Sequence, residues 1–174
     1  DRQVASWLVW PVSHSEGWLK KFEGPVQEVA APVTLVTALL DIGRGRMDGP
    51  FSRSFDTNDL PLFERLLAIN LPMVIYLDPK HADIVWRHRQ PHNTRIVPTR
   101  AEDLRSAPSY ARVQEIRSDP AWLEQAGWLP HSPQAALEYY NPLVMSKLRW
   151  LAEQAEARPF NTERVFQART TGRK

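Results

Sequence analysis

The chain has 174 residues, 43% of them apolar and 24% charged, which is enough for one domain with a full core and too few for two ordinary ones. A formal net charge of +2 is too mild to imply a nucleic-acid partner but compatible with an anionic small ligand, and the absence of cysteine excludes disulfides, thiolate metal sites and cysteine nucleophiles. No apolar run approaches the roughly 20 residues of a membrane span and no basic-then-apolar leader opens the sequence, so the expectation is a cytoplasmic protein without a membrane span.

Residues 1–31 hold Trp7, Trp10 and Trp18 among turn formers such as Pro11, Ser13, Gly17 and Gly24, and read as an N-terminal segment flanking the domain. Its aromatic residues are expected to cover core edges. From Val33 to Leu40 an apolar run rich in β-branched residues, too short for an amphipathic helix, predicts a strand buried on both faces. Asp41 closes it, and Gly43, Arg44, Gly45, Arg46 and Gly49 follow directly. A strand thus delivers a carboxylate and two guanidinium groups into a glycine-loosened loop. In open α/β sheets ligands bind beyond the carboxyl ends of strands, and Arg holds phosphate through paired hydrogen bonds while an Asp accepts from a sugar hydroxyl.

The segment 43–57 is expected to be a loop without elements of its own, and loops of that length are usually functional or mobile. Asn58 or Thr57 is expected to cap a helix carrying Leu60, Phe63, Leu66 and Leu67. Met73–Leu77 predicts a second buried strand, again followed by a carboxylate, Asp78. A helix over Lys80 to Arg89, with Ile84, Val85 and Trp86 inward, and a short strand over Arg95 to Pro98 complete a β-loop-α-β-α-β order. That order implies a Rossmann-like α/β fold with a mostly parallel sheet flanked by helices.

Beyond Ala101 the pattern is helical, with short helices near 101–105, 109–118, 120–127 and 133–139 between prolines. Asn141-Pro142 then starts a long helix whose inward face is expected to be Val144, Leu148, Leu151, Ala152 and Ala155, with Lys147 at the margin of that stripe. A fourth strand is expected over Asn161 to Phe166, followed by a basic tail, 167–174.

His88 and His92 stand four apart, but Pro91 lies between them and no zinc-protease motif is formed. Asp48, Asp56 and Asp59 lack the spacing of a calcium loop and read as solvated loop residues. Neither a GxSxG elbow nor a phosphate loop nor a GxGxxG fingerprint is present. The Arg87 to Arg105 segment, next to Trp86, reads as a solvated face rather than an RNA surface, so nucleic acid is an unexpected partner.

The run from Val33 through Asp41-Ile42-Gly43-Arg44-Gly45, then Arg53-Ser54 ahead of Leu62-Phe63, resembles the bacterial WlaTC/HtrL (YibB) family. The likeness continues in Ile75-Tyr76-Leu77-Asp78, Tyr140-Asn141-Pro142, Met145-Ser146-Lys147 and Asn161-Thr162, and so covers residues 33–166 in order. It implies a GT-A-like glycosyltransferase fold over 32–166 with a helical C-terminal half, a nucleotide sugar as donor, a saccharide as acceptor, and a role in bacterial surface-polysaccharide assembly. By position, Asp41, Gly43, Arg44, Arg46, Arg53, Asp78 and Lys147 would serve the nucleotide sugar. No catalytic residue is assigned. The family pattern also implies Mn²⁺ or Mg²⁺ held by an aspartate just past the fourth strand, whereas here Phe166 is followed by Gln167-Ala168-Arg169. Truncation, a shifted reading frame or a copy that binds without turnover would each account for that departure. A non-catalytic structural or RNA-binding α/β module is the alternative.

Overall fold

A computed structural model describes residues 31–168, so the tryptophan-rich start and the basic tail past Ala168 lie outside the described residues. The strands are β1 (Val33–Leu39), β2 (Met73–Leu77), β3 (Thr94–Pro98) and β4 (Arg164–Gln167). They form one all-parallel sheet in the order β3-β2-β1-β4. Helices α1 (Leu60–Leu67) and α2 (Ala82–His88) connect the first three strands. Between β3 and β4 run α3 (Tyr110–Arg117), α4 (Pro120–Leu123), α5 (Pro133–Ala136) and the long α6 (Tyr140–Ala157).

Strand β2 is buried at all five positions, as expected of an interior parallel strand covered on both sides. Its side chains alternate between two cores. Met73, Ile75 and Leu77 join Leu39, Phe63, Leu67, Val85 and Ile96 beneath α1 and α2. Val74 and Tyr76 join Val36, Leu40, Leu104, Trp150 and Phe160 beneath α6. The two-faced arrangement follows from handedness: the chain steps from β1 to β3 in one direction, then returns past β1 to β4 in the other. Right-handed crossovers in opposite directions place their helices on opposite faces.

The inward face of α6 differs from the expected one. Its buried residues are Pro142, Ser146, Trp150 and Gln154, whereas Val144 and Leu148 are 47% and 68% exposed. Trp150 decides the rotation, because its ring stacks on Tyr76 with centroids 4.3 Å apart. Gln154 then follows it inward, donating from Nε2 to the Tyr76 hydroxyl at 2.8 Å. Stacking one large aromatic and satisfying one buried hydroxyl outweigh exposure of Val144, Leu148, Ala152 and Ala155, and of the expected stripe only Leu151 stays partly buried.

Other expectations shift at element ends. Segment 43–57 contains helical turns over Arg44–Arg46 and Gly49–Phe51, and a wide π turn over Phe55–Asp59 leads into α1. Ser54, rather than Thr57 or Asn58, caps that stretch: its hydroxyl accepts from the Thr57 N–H, while the Asn58 side chain accepts from the Ser54 N–H at 3.1 Å. In α2 the fully buried residues are Ala82 and Val85, with Ile84 and Trp86 packed at the margin. Strand β4 begins at Arg164, and the preceding Thr162 is buried with its hydroxyl 2.7 Å from that of Thr34 on β1. Among the described residues β4 pairs with β1 alone and forms an edge.

Arg89, just past α2, turns inward and is only 5% exposed. Its guanidinium donates to the carbonyls of Leu67, Ile69, Leu71 and Asn93 and to the Thr94 hydroxyl, closing the end of α1 and the turn into β2. Burial pulls its pKa below the usual arginine range. Arg89→Ala would strand those carbonyls, and a loss of about 3 kcal/mol is expected in chemical denaturation. Arg87→Ala, on the exposed side of α2, is expected to change stability by less than about 0.5 kcal/mol.

Candidate functional site

Strand order reverses at β1, so the carboxyl ends of β1 and β4 bound the crevice in which open α/β sheets hold ligands. Asp41 stands two residues past the end of β1, and Asp78 one residue past β2, in strands whose last paired residues are Leu39 and Leu77. Asp41 Oδ1 accepts from the Gly43 N–H at 2.9 Å, shaping the first bend. Gly43 has φ 84°, a left-handed conformation that glycine adopts without strain. Arg46 folds back over Gly43, where its guanidinium occupies the space a Cβ would take.

The far half of the loop returns against the near half. Gly45 packs so close to the Arg53-Ser54 backbone that a Cβ there would lie 3.3 Å from the Ser54 Cα and 3.6 Å from the Arg53 carbonyl. The Arg53 N–H donates to the Arg44 carbonyl at 3.2 Å. Both arginines are thereby fixed at their backbones. The Arg44 side chain donates to the Phe51 carbonyl at 3.2 Å, its guanidinium lies 6.0 Å from the centre of the Tyr140 ring at the start of α6, and its Nε is buried with no hydrogen-bond partner. Arg53 pairs through Nε with Asp59. Asp59 is therefore not the solvated loop residue that its spacing implies. Burial raises its pKa, opposed by the neighbouring Arg53 and Arg44 cations.

Asp78 opens a tight turn, Pro79–His81: Oδ1 accepts from the Lys80 N–H at 3.1 Å, and Oδ2 lies 3.4 Å from Lys80 Nζ. That turn places His81 against Phe55, with the rings stacked at 4.8 Å. Its Nε2 is buried without a hydrogen-bond partner. Burial lowers the His81 pKa from the ordinary 6.5, and Lys80 lowers it further, against the carboxylates of Asp78, Asp41 and Asp56. Those three carboxylates thus bear on one imidazole. Lys147 is half-buried on α6, seven residues or about 10 Å of helix rise from Tyr140.

The fold thus gathers Asp41, Gly43, Arg44, Arg46 and Arg53 in one loop with Asp78 beside it, while Lys147 lies on α6 about two turns along from Tyr140. His81, Phe55, Asp59 and Tyr140 join the cluster without having been singled out as site residues. His81 had one usable signal, its place three residues after a strand-ending aspartate. The arginines of the Arg87 to Arg105 segment are in part buried or paired. Arg89 is buried, Arg87 lies 3.8 Å from Glu64, and Arg105 lies 3.0 Å from Glu138. A polar cavity of about 360 Å³, bordered by Asn70, His88, Gln90 and Asn93, lies where the chain enters β2 and β3, at the amino ends of the strands and away from this cluster.

A family described as "Bacterial protein of unknown function (HtrL_YibB)" matches residues 31–168. No curated protein and no solved structure matches the chain.

Two outcomes follow from the loop and the histidine. Gly43→Ala forces a side chain into the left-handed region and is expected to lower stability by about 1 kcal/mol in denaturant titrations. Because the folded pKa of His81 is depressed, the unfolded chain takes up the proton first; the stabilisation is complete above about pH 6.5 and is lost as pH falls. Thermal midpoints of wild type and His81→Gln are expected to converge between about pH 7.5 and pH 5.5.

Proposed function

Because the chain belongs to the HtrL_YibB family of bacterial proteins of unknown function, we propose that residues 32–166 are a GT-A-like domain that binds a nucleotide sugar in bacterial surface-polysaccharide assembly. One observation supports this above the rest: Arg44 and Arg53 are fixed by backbone contacts beside Asp41, at the carboxyl end of the strand where the sheet reverses direction. Guanidinium groups so placed suit a diphosphate, and Asp41 and Asp78 suit ribose or sugar hydroxyls. Tyr140 offers an aromatic face beside Arg44. A saccharide acceptor would enter from the same end of the sheet.

In this reading the diphosphate is held without the divalent cation that the resemblance implies. Asp78 faces Lys80 with both oxygens, Asp41 accepts from the Gly43 N–H through Oδ1, and among the described residues no group of three or more His, Asp or Glu converges on a metal position. Charge on the diphosphate would be met by guanidinium groups instead.

Nucleoside diphosphates are expected to raise the thermal midpoint equally with Mn²⁺ or with EDTA. Arg44→Ala is expected to weaken that binding by about 1.5 to 3 kcal/mol, and Arg87→Ala to leave it unchanged. Equal effects at the two positions would remove the site assignment. A midpoint shift with short RNA only, abolished by high salt, would favour an RNA-binding module instead.

A further inference from the structure

The Arg53 guanidinium is already engaged by a carboxylate that no capping role explains. Arg53 and Asp59 form an ion pair with side chains only 26% and 21% exposed, and Arg44 and Asp41 are the other charges acting on that carboxylate. Asp59 precedes α1, yet its side chain makes no capping hydrogen bond; Ser54 performs that task one turn earlier. Arg44 is held nearby by one hydrogen bond to a backbone carbonyl and by the Tyr140 ring, with its Nε unpartnered. One guanidinium group is therefore paired with a side-chain carboxylate, and a second, with its Nε unpartnered, belongs to the residue whose carbonyl accepts the Arg53 N–H.

We infer that Asp59 is a resident counter-anion, which holds Arg53 in place beside Arg44 in the ligand-free protein and is exchanged for the diphosphate of an incoming ligand. The inference rests on the nucleotide-sugar reading and names what that site selects. A single carboxylate or a monophosphate gains little by replacing a carboxylate already paired with Arg53. A diphosphate brings more charge and enough oxygens to engage both guanidinium groups at once. Asp59 thus acts as a specificity residue that sets a threshold of ligand charge, as an internal competitor does.

The test is titration calorimetry of the full chain with inorganic pyrophosphate and with inorganic phosphate, on wild type, Asp59→Asn, Asp59→Ser and Arg44→Ala. Far-UV circular dichroism confirms that each variant is folded, and the two Asp59 variants guard against failure of either one. Removal of the carboxylate is expected to tighten pyrophosphate binding about tenfold and to narrow the preference for pyrophosphate over phosphate. Should wild type bind pyrophosphate through Arg44 while both folded Asp59 variants bind it equally or more weakly, the counter-anion role is overturned and the nucleotide reading survives. Should neither wild type nor the Asp59 variants bind pyrophosphate, both fall together.

Discussion

Parallel pairing on both edges of β1 is the constraint on which the rest of the structure depends. β1 pairs with β2 through Leu35–Leu39 and with β4 through Val33–Val36, although Thr34 and Thr162 are 128 residues apart in sequence. A parallel neighbour on each side can be reached only by crossovers of opposite direction, so the helices divide between the two faces and the loop leaving β1 emerges where they part. Nothing in that loop has to be conserved in shape for the sheet to close. It is a position free for chemistry, supported by a strand that cannot move without disturbing both cores.

The loop itself is ordered by small residues more than by large ones. Gly43 supplies a left-handed turn, Gly45 admits the Arg53-Ser54 backbone to van der Waals distance, and Ser54 with Asn58 closes the wide turn leading to α1. Pairing of the Gly-Arg-Gly and Arg-Ser motifs thereby has a mechanical cause: each is the surface against which the other is set. An arginine on a mobile loop must lose considerable side-chain entropy to grip a ligand, and fixing two of them at the backbone removes part of that cost beforehand.

Strands were legible in the sequence because β-branched runs between prolines and glycines admit few other readings, and the β-loop-α-β-α-β order implied the parallel sheet. The arginines of the loop were legible for the same reason, as they follow a buried strand directly. The rotation of α6 was not, since it turns on Trp150 meeting Tyr76 across 74 positions, and a periodicity count gives Val144 and Leu148 the same weight as any core residue. Arg89 offered no signal at all: a basic residue in a basic stretch is unremarkable until the fold presents it with four carbonyls. Asp59 acquires meaning only from Arg53, and His81, whose one signal was its place after Asp78, gains its setting from Phe55; both partners arrive through the returning loop.

Charge at this end of the sheet is balanced rather than one-sided. Asp41, Asp56, Asp59 and Asp78 stand against Arg44, Arg46, Arg53 and Lys80, and His81 is held neutral among them by burial. A balanced cluster attracts anions only weakly at long range, since opposite charges cancel within about a Debye length. Discrimination must then arise at contact, where a ligand is accepted if it satisfies the guanidinium groups better than the carboxylates already present. That accords with a chain whose net charge is only +2, and it separates this site from a basic patch, whose affinity comes from the field and whose selectivity is correspondingly low. His81 matters to the same balance: a protonated imidazole beside Lys80 would add a fifth cation, and burying the ring against Phe55 keeps that charge out at neutral pH.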